Sequence, residues 1–361
     1  MQKRNAWGRL DHRAVGVTLA LAIALLPAAA HAGKPPATTV TAHSAVQAVG
    51  SRAADLRISD SHEDASLLQD LPTTQEPEHK ALSLGLAGGV FGVLYGYTYL
   101  AWYLRSDESP TFQVHEEGWF GVDTYAGGAD KVGHAWGNYA LVRGVSGILE
   151  WGGWNRTMAL TTATGMTTAF FVMSEIKDGY AEDYGFSWGD VIANVTGASL
   201  GVLMELSPSL DRRFDFRLEY FPSKPFRDAV STKGPFNSPE DYTGQRFYLA
   251  YHLSTIDSLR ESRLFGWSEY VDVAVGFHAA HYKPEDQDTA DHQQELFMGV
   301  SLNLQRVVDK AFAPPPGSNR KRSTGSRALH YTTEIVQMPF TSLQVGGVSR
   351  SIPDPKSVPT P

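Results

Sequence analysis

Four long segments with few charged side chains dominate residues 80–208 and predict four helices. The first, residues 81–104, contains no charged residue and is long enough to cross a bilayer. The other three cover residues 130–151, about 157–177, and 187–207. The fourth has 14 uncharged residues between Asp190 and Glu205. That run is shorter than the ~20 apolar residues a lone spanning helix needs.

The first predicted helix has two features of membrane helices. Gly85, Gly89 and Gly92 place small residues at helical spacing, which would let another helix backbone approach. Six aromatic side chains crowd its second half, as expected near a membrane–water boundary. The alternative is a buried core helix of a soluble bundle, although core helices rarely run this long without a charge. Two glycines before the second helix predict a turn, with Asp130 as the helix cap.

Beyond Pro208 apolar and polar residues alternate in four stretches, the pattern of β-strands. The apolar members are Phe214, Phe216, Leu218 and Tyr220; Phe247, Leu249, Tyr251 and Leu253; Val271, Val273, Val275 and Phe277; and Leu296, Met298, Val300, Leu302 and Leu304. Four strands suit a small antiparallel meander with one covered face, and they are too few to close a barrel. We therefore predict an α+β fold: a four-helix membrane-associated bundle followed by an antiparallel β-meander packed on it.

The N-terminus has the three parts of a secretory signal. A basic start is followed by an apolar run over residues 14–30 and a small-x-small site at residues 30–32. We expect export to the periplasm with cleavage after Ala32, and an uncleaved anchor is the alternative. The other divisions are a disordered tether at 33–79, a helical core at 80–208 and a β region at 209–312. Residues 313–361 form a loop and tail that can hold one short element.

Charge and cysteine content exclude several classes of function. Removing the signal's four basic residues and Asp11 leaves 27 basic and 38 acidic side chains, a net charge of −11. This balance argues against nucleic acid, which requires basic patches. The chain has no cysteine, so it has no disulfide, thiol nucleophile, thiolate metal ligand or lipid-modified cysteine. Attachment to a membrane must therefore use the protein's own apolar surface.

Polar side chains recur at helical spacing on three of the predicted helices. Residues three or four apart share a helix face. The three stripes are Asp130, His134 and Asn138; Glu175 and Asp178; and Asp190 and Asn194. Polar stripes on otherwise apolar helices predict one shared interior site, with Lys131 and Ser187 beside it.

The residue types of these stripes support acid–base or metal chemistry. Buried carboxylates near one another raise each other's pKa, and a nearby Lys or His opposes that shift. Candidate catalytic residues are His134, Asp130, Glu175, Asp178 and Asp190. Candidate binding residues are Lys131, Asn138, Asn194 and Ser187.

His134 with Glu175 and Asp178 also supplies nitrogen and oxygen donors for a divalent metal. The alternative is structural, because the same groups could simply bind one another and fix helix register. Gly197 and Gly201 are interpreted as close-packing positions, and the other histidines, including His252, as solvated.

Three motifs in order resemble a known group of proteins. They are Gly127-Gly128-Ala129-Asp130-Lys131-x-x-His134, then Glu175-x-x-Asp178-Gly179, then Tyr184-Gly185-Phe186-Ser187-x-x-Asp190-x-x-x-Asn194-x-x-Gly197. They resemble the YfiM-like group of uncharacterised bacterial envelope proteins, and their order is similar to that of the wider VanZ-like membrane family. The resemblance implies a lipoprotein or membrane protein of the envelope, with the family residues at Asp130, Lys131, His134, Glu175, Asp178, Asp190 and Asn194. This chain departs from the first group by lacking the lipoprotein cysteine.

Two hypotheses of different class follow. The first is a non-catalytic, membrane-associated envelope protein whose polar pocket binds a lipid or an envelope partner. The second is an enzyme that uses the pocket for acid–base or metal-assisted hydrolysis of a lipid-linked or phosphorylated intermediate. No histidine pair at i, i+4 and no Gly-x-Ser-x-Gly motif occurs, so metalloprotease and serine-hydrolase functions lack their motifs.

Overall fold

The computed structural model describes residues 79–104, 106–233, 238–282, 290–313 and 323–353. The predicted signal peptide and nearly all of the predicted tether lie outside these residues. Within them the fold is α+β, with helices first and an antiparallel sheet after them, as the sequence predicts.

Five helices form the first part of the fold. They are α1 (Lys80–Thr98), α2 (Ala129–Trp151), α3 (Arg156–Asp178), α4 (Trp188–Leu206) and the short α5 (Pro208–Asp211). Tyr99–Tyr103 continue α1 as a π-helix. The predicted bounds of α2, α3 and α4 differ from the observed ones by at most one residue at each end.

Within the described ranges, Lys80–Tyr103 is the single helix long and apolar enough to cross a membrane by length and composition. A core helix of a soluble protein can meet the same criterion, but only 22% of the apolar window in this helix is buried. Among the described residues no helix of this chain approaches Gly85, Gly89 or Gly92, because a Cβ there would meet no atom within 4 Å. α1 instead packs through Ala87 against a core formed with α2 and α3.

The start of α2 depends on its two glycines rather than on a capping carboxylate. Gly128, with φ +86°, is the N-terminal cap, and Asp130 lies in the first turn without capping the helix. The predicted role of Asp130 as cap is therefore wrong. Gly127 also has a positive φ, and a Cβ there would lie 2.4 Å from Tyr282 Oη. This turn needs glycine for both its backbone angles and its space.

The sheet has the four predicted strands and a fifth, which lies in residues 313–361 where one short element is expected. They are β1 (Phe214–Tyr220), β2 (Gln245–His252), β3 (Val271–Ala280), β4 (His292–Leu302) and β5 (Ser342–Ile352). Each pairs antiparallel with the next, which makes the expected meander. Four more helices lie among them: α6 (Lys224–Lys233), α7 (Asp257–Arg260), α8 (Leu304–Ala311) and α9 (Thr324–Ile335). Leu304, assigned to the fourth strand by its alternation, instead begins α8.

The sheet packs on the helices through one end of one face, which agrees with the expected packing. Phe216 and Phe247 join Trp136 and Tyr139 of α2 in the main hydrophobic core. α9 completes this contact, since Trp136 Nε1 donates to the backbone oxygen of Ile335 at 3.0 Å.

The other face of the sheet holds a buried ionic network. Arg217 Nη1 donates to Asp272 Oδ2 at 2.8 Å, and Arg217 also binds Asp215. His252 lies between the two carboxylates, with Nδ1 2.8 Å from Asp272 Oδ1 and Nε2 3.2 Å from Asp215 Oδ2. All four side chains are buried, so the interpretation of His252 as solvated is wrong. The opposite charges of the network neutralise one another without contact with solvent.

Candidate functional site

Three helices bring their polar stripes together, and Asn194 of α4 connects them. Its Oδ1 accepts from Asn138 Nδ2 at 2.7 Å and lies 2.9 Å from His134 Nδ1. Its Nδ2 donates to Glu175 Oε1 of α3 at 3.2 Å. One amide therefore contacts α2 twice and α3 once, which fixes the relative register of all three helices.

Lys131 supplies the positive charge on the other side of the site. Its Nζ lies 2.7 Å from Asp190 Oδ1 and 3.3 Å from Asp130 Oδ2, and it also binds Glu117. The side chain is buried, so the ammonium is neutralised by these carboxylates rather than by water. Gly189 makes room for it, because a Cβ there would lie 2.7 Å from Lys131 Cε.

Two of the predicted site residues have other contacts. Asp178 Oδ1 accepts a hydrogen bond from Tyr103 Oη at 2.8 Å, and among the described residues it makes no hydrogen bond to the Asn194 network. Ser187 caps α4, with its Oγ accepting from the backbone nitrogen of Asp190 at 3.3 Å. Ser187 thus positions Asp190, a role typical of a serine before a helix.

The charges of the cluster shift the pKa of its members in opposite directions. Burial opposes the imidazolium of His134, but the carboxylates of Asp190 and Asp130 outweigh it and raise its pKa to about 9. Burial and the charge of Asp130 raise the pKa of Asp190. Burial also acts on Asp130, but His134 and Lys131 outweigh it and lower its pKa. At neutral pH the cluster therefore holds an imidazolium and an ammonium among carboxylates of unequal acidity.

Glu175 and Asp178 have pKa values raised mainly by burial. For Asp178 the value rises to about 7, while the raised value of Glu175 is opposed by the charge of His134. Carboxyl groups of this kind can donate as well as accept hydrogen bonds near neutral pH.

Sequence reasoning missed two members of the cluster. Glu117 contacts Lys131, and Tyr242 Oη donates to Asp130 Oδ1 at 3.0 Å. Both lie in segments without helical or alternating periodicity, so no pattern linked them to the helices. Tyr242 belongs to the loop Glu240-Asp241-Tyr242-Thr243-Gly244-Gln245, which resembles a loop of longer YfiM-like proteins and to which the sequence assigns no site.

Three residues of the cluster have the donor set of a metal site. Asp130, His134 and Asp190 each offer one ligand atom, and these atoms lie within 4.8 Å of one another. This set shares only His134 with the predicted set. Glu175 faces the other ring nitrogen, 3.7 Å from Nδ1, and Asp178 binds Tyr103. A cation here would have to displace the ammonium of Lys131 from Asp190.

A cleft between α3 and α4 leads toward the cluster. Its walls are Thr168, Phe171, Val172, Val191 and Val195, and it also contacts Asn138, Glu175 and Asn194. Val172 and Val195 are about half exposed, so the cleft begins at an apolar surface and ends at polar groups.

The fold and the cluster define a class: an α+β protein with a polar centre between three helices. Residues 116–206 match a family model described as "Predicted periplasmic lipoprotein (DUF2279)". The matched stretch includes Glu117 and ends at the last residue of α4, so it contains the helical members of the cluster but not Tyr242 or the sheet. Searches of curated proteins and of solved structures gave no match.

This match confirms the predicted localisation in the periplasmic part of the envelope. It also supports the coarser part of the resemblance, an uncharacterised envelope protein of lipoprotein type, and shows no link to the YfiM-like or VanZ-like groups. The 361 residues contain no cysteine that could carry a lipid.

Proposed function

We propose that this is a membrane-associated envelope protein whose three-helix polar centre binds the head group of an amphiphilic envelope ligand. The cleft between α3 and α4 carries this proposal. Its apolar walls suit a hydrocarbon tail, and its polar end offers Glu175, Asn138 and Asn194. Ligand sites commonly combine apolar walls with a few convergent polar groups in this way.

The outer surfaces of α3 and α4 support a ligand that arrives from an apolar phase. Met173, Ile176, Ile192 and Leu203 are large apolar side chains that are about half or more exposed. Contiguous exposed apolar surface of this kind marks interaction sites. Together with α1, this exposed apolar surface supports attachment to a membrane through the protein's own side chains. The order of the three sequence motifs supports the further proposal that the protein is related to the YfiM-like or VanZ-like groups.

The chemistry of the polar end indicates which head group would fit. Two amides and a carboxyl group of raised pKa can bind hydroxyl, amine and amide groups. Lys131 already pairs with Glu117, Asp130 and Asp190. The imidazolium of His134 already faces Asp130 and Asp190, so neither charge is available for a phosphate. The ligand we propose is therefore an amphiphile with a hydroxyl- or amine-bearing head group.

Blocking the cleft should remove the ligand. In Val195→Trp the indole is expected to fill the cleft, and native mass spectrometry of the detergent-solubilised protein should show loss of the lipid adduct retained by the wild type. Ile192→Trp is the matched control, because Ile192 is similarly exposed on α4 but does not line the cleft. Equal adduct retention in both variants would contradict the proposal.

A hydrolase is the second candidate, favoured by the grouping of Asp130, His134 and Asp190. These residues could hold a divalent cation through His134 Nε2 and one oxygen of each carboxylate, or act as acid and base without one. Metal analysis of the purified protein is the first measurement. His134→Ala and Asp190→Asn should then abolish any hydrolysis of envelope lipids while the protein stays folded; unchanged turnover would rule out this function.

A further inference from the structure

The two faces of the sheet have the reverse of the polarity expected for a soluble protein. An antiparallel sheet normally buries its apolar face and solvates its polar one. Here Asp215, Arg217, His252 and Asp272 are buried on one face. The opposite face, called the outer face, carries large apolar side chains that are 46–71% exposed: Leu249, Val275, Leu296, Met298, Leu302, Leu343 and Val348; Val345, which is 71% exposed, lies beside them at the β-bulge of β5.

These side chains form one continuous surface. Leu249 is paired with Val275, and Val275 with Met298, across three neighbouring strands. Leu296 is paired with Val348 of β5. Paired residues on one face lie in contact across the strands.

The sheet itself closes over its polar face and leaves the outer face open. Ser342 at the start of β5 contacts Glu219 of β1 at 2.9 Å and Tyr248 of β2 at 3.1 Å. The edge strands thus approach each other on the polar side. On the outer side, α2 and α9 cover the end near Phe216 and Phe247, and the apolar side chains named above stay exposed.

The outer face has the lack of charge and the strand length expected for contact with the hydrocarbon of a membrane. Between the strand ends, its positions on β2, β3 and β4 carry no Asp, Glu, Lys, Arg or His. β3 and β4 have 10 and 11 residues, the strand length that matches the hydrocarbon thickness of a bilayer, about 9–11 residues. A protein partner would be expected to meet a polar rim with some charge instead.

Exposed aromatic side chains lie at one end of this face. The backbone nitrogen of Leu302 donates to Thr341, which places Phe340 at that end, and the nitrogen of Asn303 donates to Tyr270, which places the turn with Phe265 and Trp267 there. These three rings are 50–85% exposed. Aromatic residues at the end of an apolar band are typical of the membrane–water interface.

We propose that the outer face of the sheet lies against the hydrocarbon of the envelope membrane, with Phe265, Trp267 and Phe340 at the head-group level. Strands in membranes direct their apolar residues toward lipid and their polar residues toward the interior of the protein. The contact is independent of the cleft between α3 and α4, and either proposal can fail without the other.

The absence of cysteine makes this contact directly measurable. Met298→Cys carries a fluorescent label on the outer face, and Ser349→Cys carries it at an exposed position on the opposite face of the same sheet. Each full-length mature variant is reconstituted into phosphatidylethanolamine–phosphatidylglycerol vesicles. Brominated acyl chains should quench the Met298 label several-fold more than the Ser349 label, and aqueous iodide should show the opposite order.

Two results would overturn the proposal. Equal iodide quenching at both positions would place the outer face in water. Protection from iodide without quenching by brominated chains would mean that a protein, such as a second copy of the chain, covers it. Leu296→Cys repeats the measurement at a neighbouring outer-face position in case the first variant does not fold.

Discussion

Replacing Asp272 with alanine is expected to lower the free energy of unfolding by about 3–5 kcal/mol, because it leaves buried positive charge without its partner. Asp272 Oδ2 accepts from Arg217, and Oδ1 accepts from Asn303 and lies 2.8 Å from His252 Nδ1. None of these groups can reach water. Urea unfolding of the wild type and the variant in the same detergent, followed by circular dichroism, measures the change in the free energy of unfolding.

The matched control is Asp228→Ala, which removes a half-exposed carboxylate from its pair with Lys224. Exposed pairs of this kind contribute about 0–1 kcal/mol. Asp272→Asn keeps hydrogen-bonding capacity and should fall between the two. A loss for Asp272→Ala no larger than that for Asp228→Ala would show that the network is not buried as described.

A single methyl group at Gly197 is expected to disrupt the packing of α2 against α4. A Cβ there would lie 1.9 Å from the backbone oxygen of Ala135. Because the neighbouring atom is backbone, the two helices must separate, and overpacking of this kind costs about 1–3 kcal/mol or more. The separation should also move Asn194, one turn earlier, away from His134.

Gly165→Ala is the control, since a Cβ there meets no atom within 4 Å and alanine favours helix by up to about 1 kcal/mol. We expect thermal unfolding at a lower temperature for Gly197→Ala and at an equal or higher one for Gly165→Ala. Equal stability of both variants would contradict the close contact between α2 and α4.

The helices α1 to α4 and the strands β1 to β4 could be predicted because their patterns are long and regular. α2, α3 and α4 have apolar runs bounded by polar residues, and β4 has an apolar residue at every second position from Leu296 to Leu302. β5 is expected from the sequence only as one possible short element within residues 313–361, because Gly346 and Gly347 interrupt its alternation. α8 was missed because eight residues are too few to separate a helix from the end of a strand by periodicity.

Alternation identifies two faces of a strand, but it does not say which face is buried. In this sheet, which face is buried depends on Asp272, Arg217 and His252, and these residues come from three different strands. Their mutual neutralisation exists only after the strands pair, so no local pattern reveals it.

Helical spacing in the sequence predicts those members of the candidate site that lie on α2, α3 and α4. Asn194 joins Asn138 and Glu175 as the three stripes imply. Glu117 and Tyr242 belong to irregular segments, and their contacts with Lys131 and Asp130 depend on tertiary packing. The sequence could not separate a charge-sharing cluster from a metal site, because the same residue types serve both.

The pKa of His134 tests most directly whether the three helices turn their polar groups to one centre. Burial opposes its charge, and Asp190 and Asp130 outweigh that and hold its pKa at about 9, above the usual value of 6.5. Since the folded state binds this proton more tightly, its contribution to stability is complete below pH 6.5 and is lost as the pH rises through about 9.

The measurement is an NMR titration of the histidine-labelled protein, with the resonance identified by its absence in His134→Gln. The account predicts a midpoint near pH 9 that falls in Asp190→Asn, because that variant removes the carboxylate that contributes most to the shift. A midpoint near pH 6.5, unchanged in Asp190→Asn, would mean that the ring faces water and that the polar centre does not exist.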